Sequence, residues 1–202
     1  MKWSLVLLSI LGLACLSVAP AWAQRLAKGN SMVWVGLNGN RAQTVGPSPA
    51  FLDPIDEAGI HVAVSRFLSD AWAGIVSGGV DAGRIRYEPP SGPEFKISSR
   101  SWNVRVGFDR YAFINDEVAL YAGPGALYWK GREKATGSPD YPEVSQIGFN
   151  GRLGMLARLA PHWALFGHIG QVIATNSAKD SAAKLTWWSN THEGSVGLSY
   201  DL

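Results

Sequence analysis

The chain has 202 residues, one cysteine and a near-neutral balance of 18 basic and 16 acidic side chains. That length suits one domain, the lone cysteine excludes an internal disulfide, and the balance excludes the broad basic field that nucleic acid requires. After residue 23 no uninterrupted apolar run reaches the ~18 residues of a spanning helix, which excludes a helical membrane protein.

The first residues are a processing segment rather than part of a fold. Met1 and Lys2 form a short basic start, and residues 5–18 are apolar but too few to span as a helix. Ala21 and Ala23 flank Trp22 with the small residues that a signal peptidase reads, so the expected signal peptide is 1–23 and the mature chain starts at Gln24. Ala14 and Cys15 offer an alternative lipoprotein site, although Gly12 stands where such sites carry Leu. Residues 24–30 are then a short periplasmic lead, and a single domain is expected over 31–202.

Hydrophobic segments follow at 32–38, 60–68, 72–82, 102–112, 118–130, 146–159, 163–175 and 186–202. The sixth alternates most clearly. Ile147, Phe149, Gly151, Leu153, Met155, Ala157 and Leu159 share one parity, Gln146, Gly148, Asn150, Arg152, Gly154 and Arg158 the other, and Leu156 breaks the pattern. A period of two sends these sets to opposite faces of a sheet. The fourth segment repeats it, with Trp102, Val104, Val106 and Phe108 against Asn103, Arg105, Gly107 and Asp109. Runs of about 10 to 14 residues exceed the ordinary globular strand of about 5 to 6 and match a tilted bilayer crossing. The fifth segment is interrupted by Gly123, Pro124 and Gly125, which predicts a bulge or kink where proline removes a ladder donor.

The gaps between segments alternate in length. Ser69 to Ala71, Asn115 to Glu117 and Ala160 to His162 are tight turns, whereas polar, Gly/Pro-rich sequence fills 39–57, 83–98, 131–144 and 176–184. Outer-membrane strands have short periplasmic turns and long outer loops, and an even strand number returns both termini to the turn side. Tryptophan and tyrosine favour the interfaces of such a bilayer. Trp72, Trp163 and Tyr200 are expected in the turn-side girdle, and Trp102, Trp129, Trp187 and Trp188 in the loop-side girdle.

The end of the chain, Ser195 to Leu202, resembles the C-terminal assembly signal of bacterial outer-membrane proteins, with Ser195, Gly197, Tyr200 and Leu202 at its marked positions and Leu202 in place of the usual terminal Phe. The segment from Phe67 to Ala73 resembles the strand-turn-strand segments of the small OmpA, OmpX and OmpW-like barrels, and that from Ala122 to Trp129 their fifth strand. The resemblance covers residues 31–202. It implies an all-β fold, an eight-stranded antiparallel up-and-down transmembrane β-barrel. It also implies export to the bacterial outer membrane and handling by the outer-membrane assembly machinery. Contact with outer-membrane lipids and, through basic residues of the long gaps, with lipopolysaccharide headgroups is expected, with the chain a monomer.

Polar side chains expected to face the lumen are His61, Asp81, Arg105, Asp109, Arg152, His168 and Glu193. Eight strands leave room only for side chains, and buried charges are tolerable only in hydrogen-bonded pairs. A plugging network of Arg with Asp and Glu is therefore expected. Lipid A deacylases, which are also small barrels, place His two residues before Ser. Here His61, His162, His168 and His192 are followed at that spacing by Ala63, Ala164, Gly170 and Gly194, so no nucleophile is supplied. His192 and Glu193 fall on opposite faces and cannot form an orienting pair. No cofactor or metal motif occurs.

The mixed charges of the long gaps form a solvated surface, where any recognition of a partner would reside. The expected function is a non-enzymatic outer-membrane barrel. The alternatives are a narrow porin-like channel or binder of small apolar molecules, a lipid A-modifying enzyme, and a soluble periplasmic lipid-binding barrel.

Overall fold

A computed structural model describes residues 28–45, 56–87, 95–135, 143–179 and 184–202. Eight strands run in chain order: β1 (Ser31–Val45), β2 (Asp56–Ser69), β3 (Trp72–Tyr87), β4 (Phe95–Phe113), β5 (Val118–Ala135), β6 (Val144–Arg158), β7 (Trp163–Lys179) and β8 (Lys184–Asp201). Each pairs antiparallel with its sequence neighbour, and β1 pairs with β8 from Met32 opposite Asp201 to Val45 opposite Trp188, closing the barrel. Closure leaves no edge strand to template pairing with another chain. The expected signal-peptidase residues Ala21 and Ala23 lie outside the described residues.

The strands are longer at their loop ends than hydrophobic alternation predicts. The first segment, expected over 32–38, continues to Val45, and the fourth, expected from 102, starts at Phe95. Beyond the bilayer the outward face no longer needs to be apolar, so the pattern fades. The main-chain ladder continues regardless.

The turns are built from their own side chains. Asn115 Oδ1 accepts from the main-chain N–H groups of Glu117 and Val118, both at 2.8 Å, which is an Asx turn between β4 and β5. Leu159 N–H donates to the Trp163 carbonyl at 2.8 Å between β6 and β7. The β2–β3 ladder shifts by one residue between Phe67 and Ser69 at its turn. Gly29, at φ +97°, lets the incoming chain donate from its N–H to the Phe67 carbonyl.

Of the expected bulge or kink, the Gly-Pro-Gly segment forms no bulge. Gly107 pairs with Gly125 and Arg110 with Ala122 in one unbroken register, and only the pairs between are missing. Pro124 faces outward, still opposite Gly151 of β6, and has no N–H to give. Gly123 is required because a Cβ there would lie 1.7 Å from the Phe108 carbonyl oxygen.

The outer surface is apolar over the middle of the barrel. Val62, Val64, Val76, Val106, Phe149, Leu153, Ile169 and Val196 are all exposed, Phe149 to 76%. In water so large an apolar patch would be untenable. Facing lipid, it is what a β-barrel requires.

Candidate functional site: the filled lumen

The inward parity of the strands fills the barrel in three tiers. Nearest the turns is an aromatic tier. Trp34 meets Phe166 edge-on at 4.9 Å and Tyr121 at 5.5 Å, and Tyr111 packs on Phe67 at 5.0 Å. Trp34 Nε1–H donates to buried Ser65 Oγ at 2.9 Å, which satisfies the one polar atom of the indole. Met32, Ile75 and Leu156 complete this cluster. Leu156, the residue that breaks the alternation of β6, is fully buried among these rings. Its side chain is an apolar residue on the lumen face, as its parity requires.

The middle tier holds the charges. Arg152 donates from Nε and Nη2 to the two carboxylate oxygens of Asp109, at 3.0 and 2.5 Å, a bidentate pair across β6 and β4. Arg105 and Glu193 form a 2.5 Å ionic contact without hydrogen-bond alignment. Asp81 accepts from Asn38 Nδ2 at 2.5 Å and Asn103 Nδ2 at 2.8 Å, so amides rather than a cation satisfy it. His168 Nδ1 lies 3.1 Å from the Tyr121 hydroxyl. Ser195 Oγ donates to the Leu37 carbonyl at 2.9 Å and sits 3.3 Å from His61 Nδ1. All seven side chains expected in the lumen are thus brought together there. The space left among them is about 20 Å³, room for about one water.

The third tier lies toward the loops. Gln146 Nε2 donates to Asn176 Oδ1 at 3.0 Å and to Ser189 Oγ at 2.9 Å, and Asn176 Nδ2 donates to Ser189 at 2.8 Å. Beside this amide cluster Leu127, Val172 and Ala174 are buried, with Trp129 packed on them.

Trp129 therefore corrects the expected girdle, and so does Trp187, which has the inward parity of Ser189 and Glu193. Each belongs to an adjacent aromatic pair, Tyr128-Trp129 or Trp187-Trp188, and a period of two allows only one of a pair to face lipid. The observed loop-side girdle is Trp102 against Tyr128 at 5.4 Å, with Trp188 exposed. On the turn side Trp72, Trp163 and Tyr200 face outward, Trp163 meeting Tyr200 at 5.0 Å. Of the expected assembly residues, Ser195 faces the lumen, Tyr200 and Leu202 are exposed, and Gly197 lets β1 and Phe166 approach, since a Cβ there would lie 2.2 Å from the Val35 carbonyl oxygen.

No protein-family model matches the sequence, and no curated protein matches it. Solved structures do match. Ail, the attachment invasion locus protein of Yersinia pestis, superposes with a TM-score of 0.51 at 17% identity, over 87% of this chain and 99% of its own. OprG from Pseudomonas aeruginosa gives 0.56 at 9% identity, over 87% and 97%. AlkL, solved in DMPC bilayers, gives 0.51 at 12%, over 87% and 91%. The chain has the fold of the small outer-membrane β-barrels. At such identities the likeness is one of architecture.

Exposed cations stand on both rims of the barrel, and those of the loop end lie on β4 and β5. Arg100 of β4 stands directly opposite Arg132 of β5, both outward. Glu143 bridges Lys130 at 2.6 Å and Arg132 at 2.9 Å, and hydrogen bonds from these two cations hold its carboxyl below the usual range. Among the described residues no three His, Cys, Asp or Glu side chains are grouped to hold a metal.

Proposed function

We propose that the protein is a non-enzymatic resident of the bacterial outer membrane, with a sealed lumen and its interactions carried on the extracellular strand ends and loops. The single observation behind this reading is that, among the described residues, three tiers of side chains occupy the bore, with about 20 Å³ left among the charges. A solute path would require the aromatic tier, the ion pairs and the amide cluster all to part. A nucleophile would need a substrate cavity beside it, and Ser195 lies inside the bore with its hydroxyl committed to the Leu37 carbonyl. Single-channel recording in planar bilayers tests the proposal: the expected result is no discrete conductance. Robust, discrete openings by the wild-type barrel would replace this reading with the narrow channel.

The same reading assigns lipopolysaccharide as a partner at the loop end. Like charges directly opposite each other on a sheet are destabilising; Glu143 engages Arg132, and Arg100 opposite it, just beyond Trp102 and Tyr128, suits a phosphate at the headgroup level. A structure of Ail has been solved with the heparin analogue sucrose octasulfate, a polyanion. Insertion itself falls to the outer-membrane assembly machinery, reading the last strand.

A further inference from the structure

We propose that the lipid-facing wall over β3 to β6 holds a site for one phospholipid of the periplasmic leaflet, its acyl chain in a groove and its phosphate on Arg66. The groove is about 680 Å³, within the range of small-molecule sites, and almost wholly apolar. Its floor beside Arg66 is main chain, because Gly74 of β3, on the outward face between Trp72 and Val76, has no side chain to raise it. Phe108 and Phe149 stand among its walls. It lies where the β4–β5 ladder is interrupted beside Pro124, so the barrel surface is depressed there rather than merely greasy.

Every other side chain lining this groove is apolar, and Arg66 alone carries charge. Arg66 is exposed on the outward face of β2, opposite Gly74, only three residues before the turn residue Ser69. A guanidinium on the lipid face is costly unless it snorkels to the interface or meets an anion. No ion pair among the described residues engages it. Arg110, the neighbouring cation on this rim, is already placed over the Trp72 ring, 5.9 Å from its centroid. Arg66 is thus the cation available to a phosphate, for which a planar guanidinium makes a bidentate partner. The turn end is the periplasmic side, where the leaflet consists of phospholipid; this step rests on the bilayer orientation proposed above.

The mature barrel is tested by native mass spectrometry from detergent, with phosphatidylglycerol and with a diacylglycerol of the same chains that lacks the phosphate. The wild type is expected to retain one phosphatidylglycerol about tenfold better than the diacylglycerol, the worth of a charge-assisted hydrogen bond. Arg66→Gln should abolish that preference. Gly74→Phe should reduce retention of both lipids, since a Cβ at Gly74 meets nothing closer than 3.8 Å and the ring has the groove to fill. Lys28→Gln, an exposed cation at the same end that does not line the groove, should leave the preference unaltered. Equal retention of the two lipids by the wild type, or an unaltered preference in Arg66→Gln, would overturn the proposal, as would lipopolysaccharide displacing phosphatidylglycerol from the wild type but not from Arg66→Gln. Heat-modifiable migration of each sample reports the folded barrel separately. Its absence from the wild type would overturn the bilayer reading and this site with it.

Discussion

Asp109 is fully buried and holds Arg152 through both carboxylate oxygens, so neither partner can be removed alone without stranding a charge. Asp109→Ala is expected to destabilise the barrel by about 3 to 5 kcal/mol, most of it the penalty of an uncompensated guanidinium. Adding Arg152→Met should recover a large part of that loss, because the double variant removes the stranded charge as well as the pair. Guanidinium unfolding in detergent measures both. An equal loss in the single and double variants would mean that the two side chains are not coupled. Glu193 behaves differently in kind, since its contact with Arg105 is ionic without hydrogen-bond alignment. The lumen charges were legible in the sequence because a polar residue among alternating apolar ones announces its face. Trp34, Tyr121 and Phe166 were not, because an inward aromatic and a lipid-facing aromatic are the same residue type, and only strand parity separates them.

A strand in this barrel carries two selection rules, one on each face. Leu153 and Leu156 of β6 are three residues apart and fall on opposite sides: Leu153 is 36% exposed to lipid, and Leu156 is buried among the lumen rings. Leu156→Ala should cost about 2 to 5 kcal/mol by leaving a cavity, whereas Leu153→Ala costs little, as lipid fills the space. Leu153→Arg reverses the tolerance, at about 2 to 4 kcal/mol if it lies near the midplane. Unfolding titrations of the three variants check the facing of the whole strand, and similar losses for the two alanine variants would refute it. Pro124 shows why element bounds and irregularities are harder to read than faces. A proline predicts a missing hydrogen bond, which is observed, but whether register slips depends on whether the neighbouring strand can close in, and here Gly123 lets the Phe108 carbonyl do so.

For the whole molecule, the division of tryptophans is the most direct readout of architecture. Trp72, Trp102, Trp163 and Trp188 face outward, while Trp34, Trp129 and Trp187 point into the bore. In vesicles with brominated acyl chains, a variant retaining only Trp163 should be strongly quenched and one retaining only Trp34 barely so. Comparable quenching of the two would contradict the closed barrel. Strand count and closure were legible because they follow from segment spacing and parity. The sealing of the bore was only half legible: the charges were foreseen, and the aromatic tier beneath them was not.

The seam between β1 and β8 has a consequence in time. Met32 meets Asp201 and Val35 meets Leu198, so the pairs that close the cylinder join the first strand made to the last. Contacts so distant along the chain form late and slowly. Until residue 201 has been made and delivered, both ends of the growing sheet remain open templates for wrong partners. Closure therefore cannot precede the arrival of β8, and until then the chain must be kept apart from its copies.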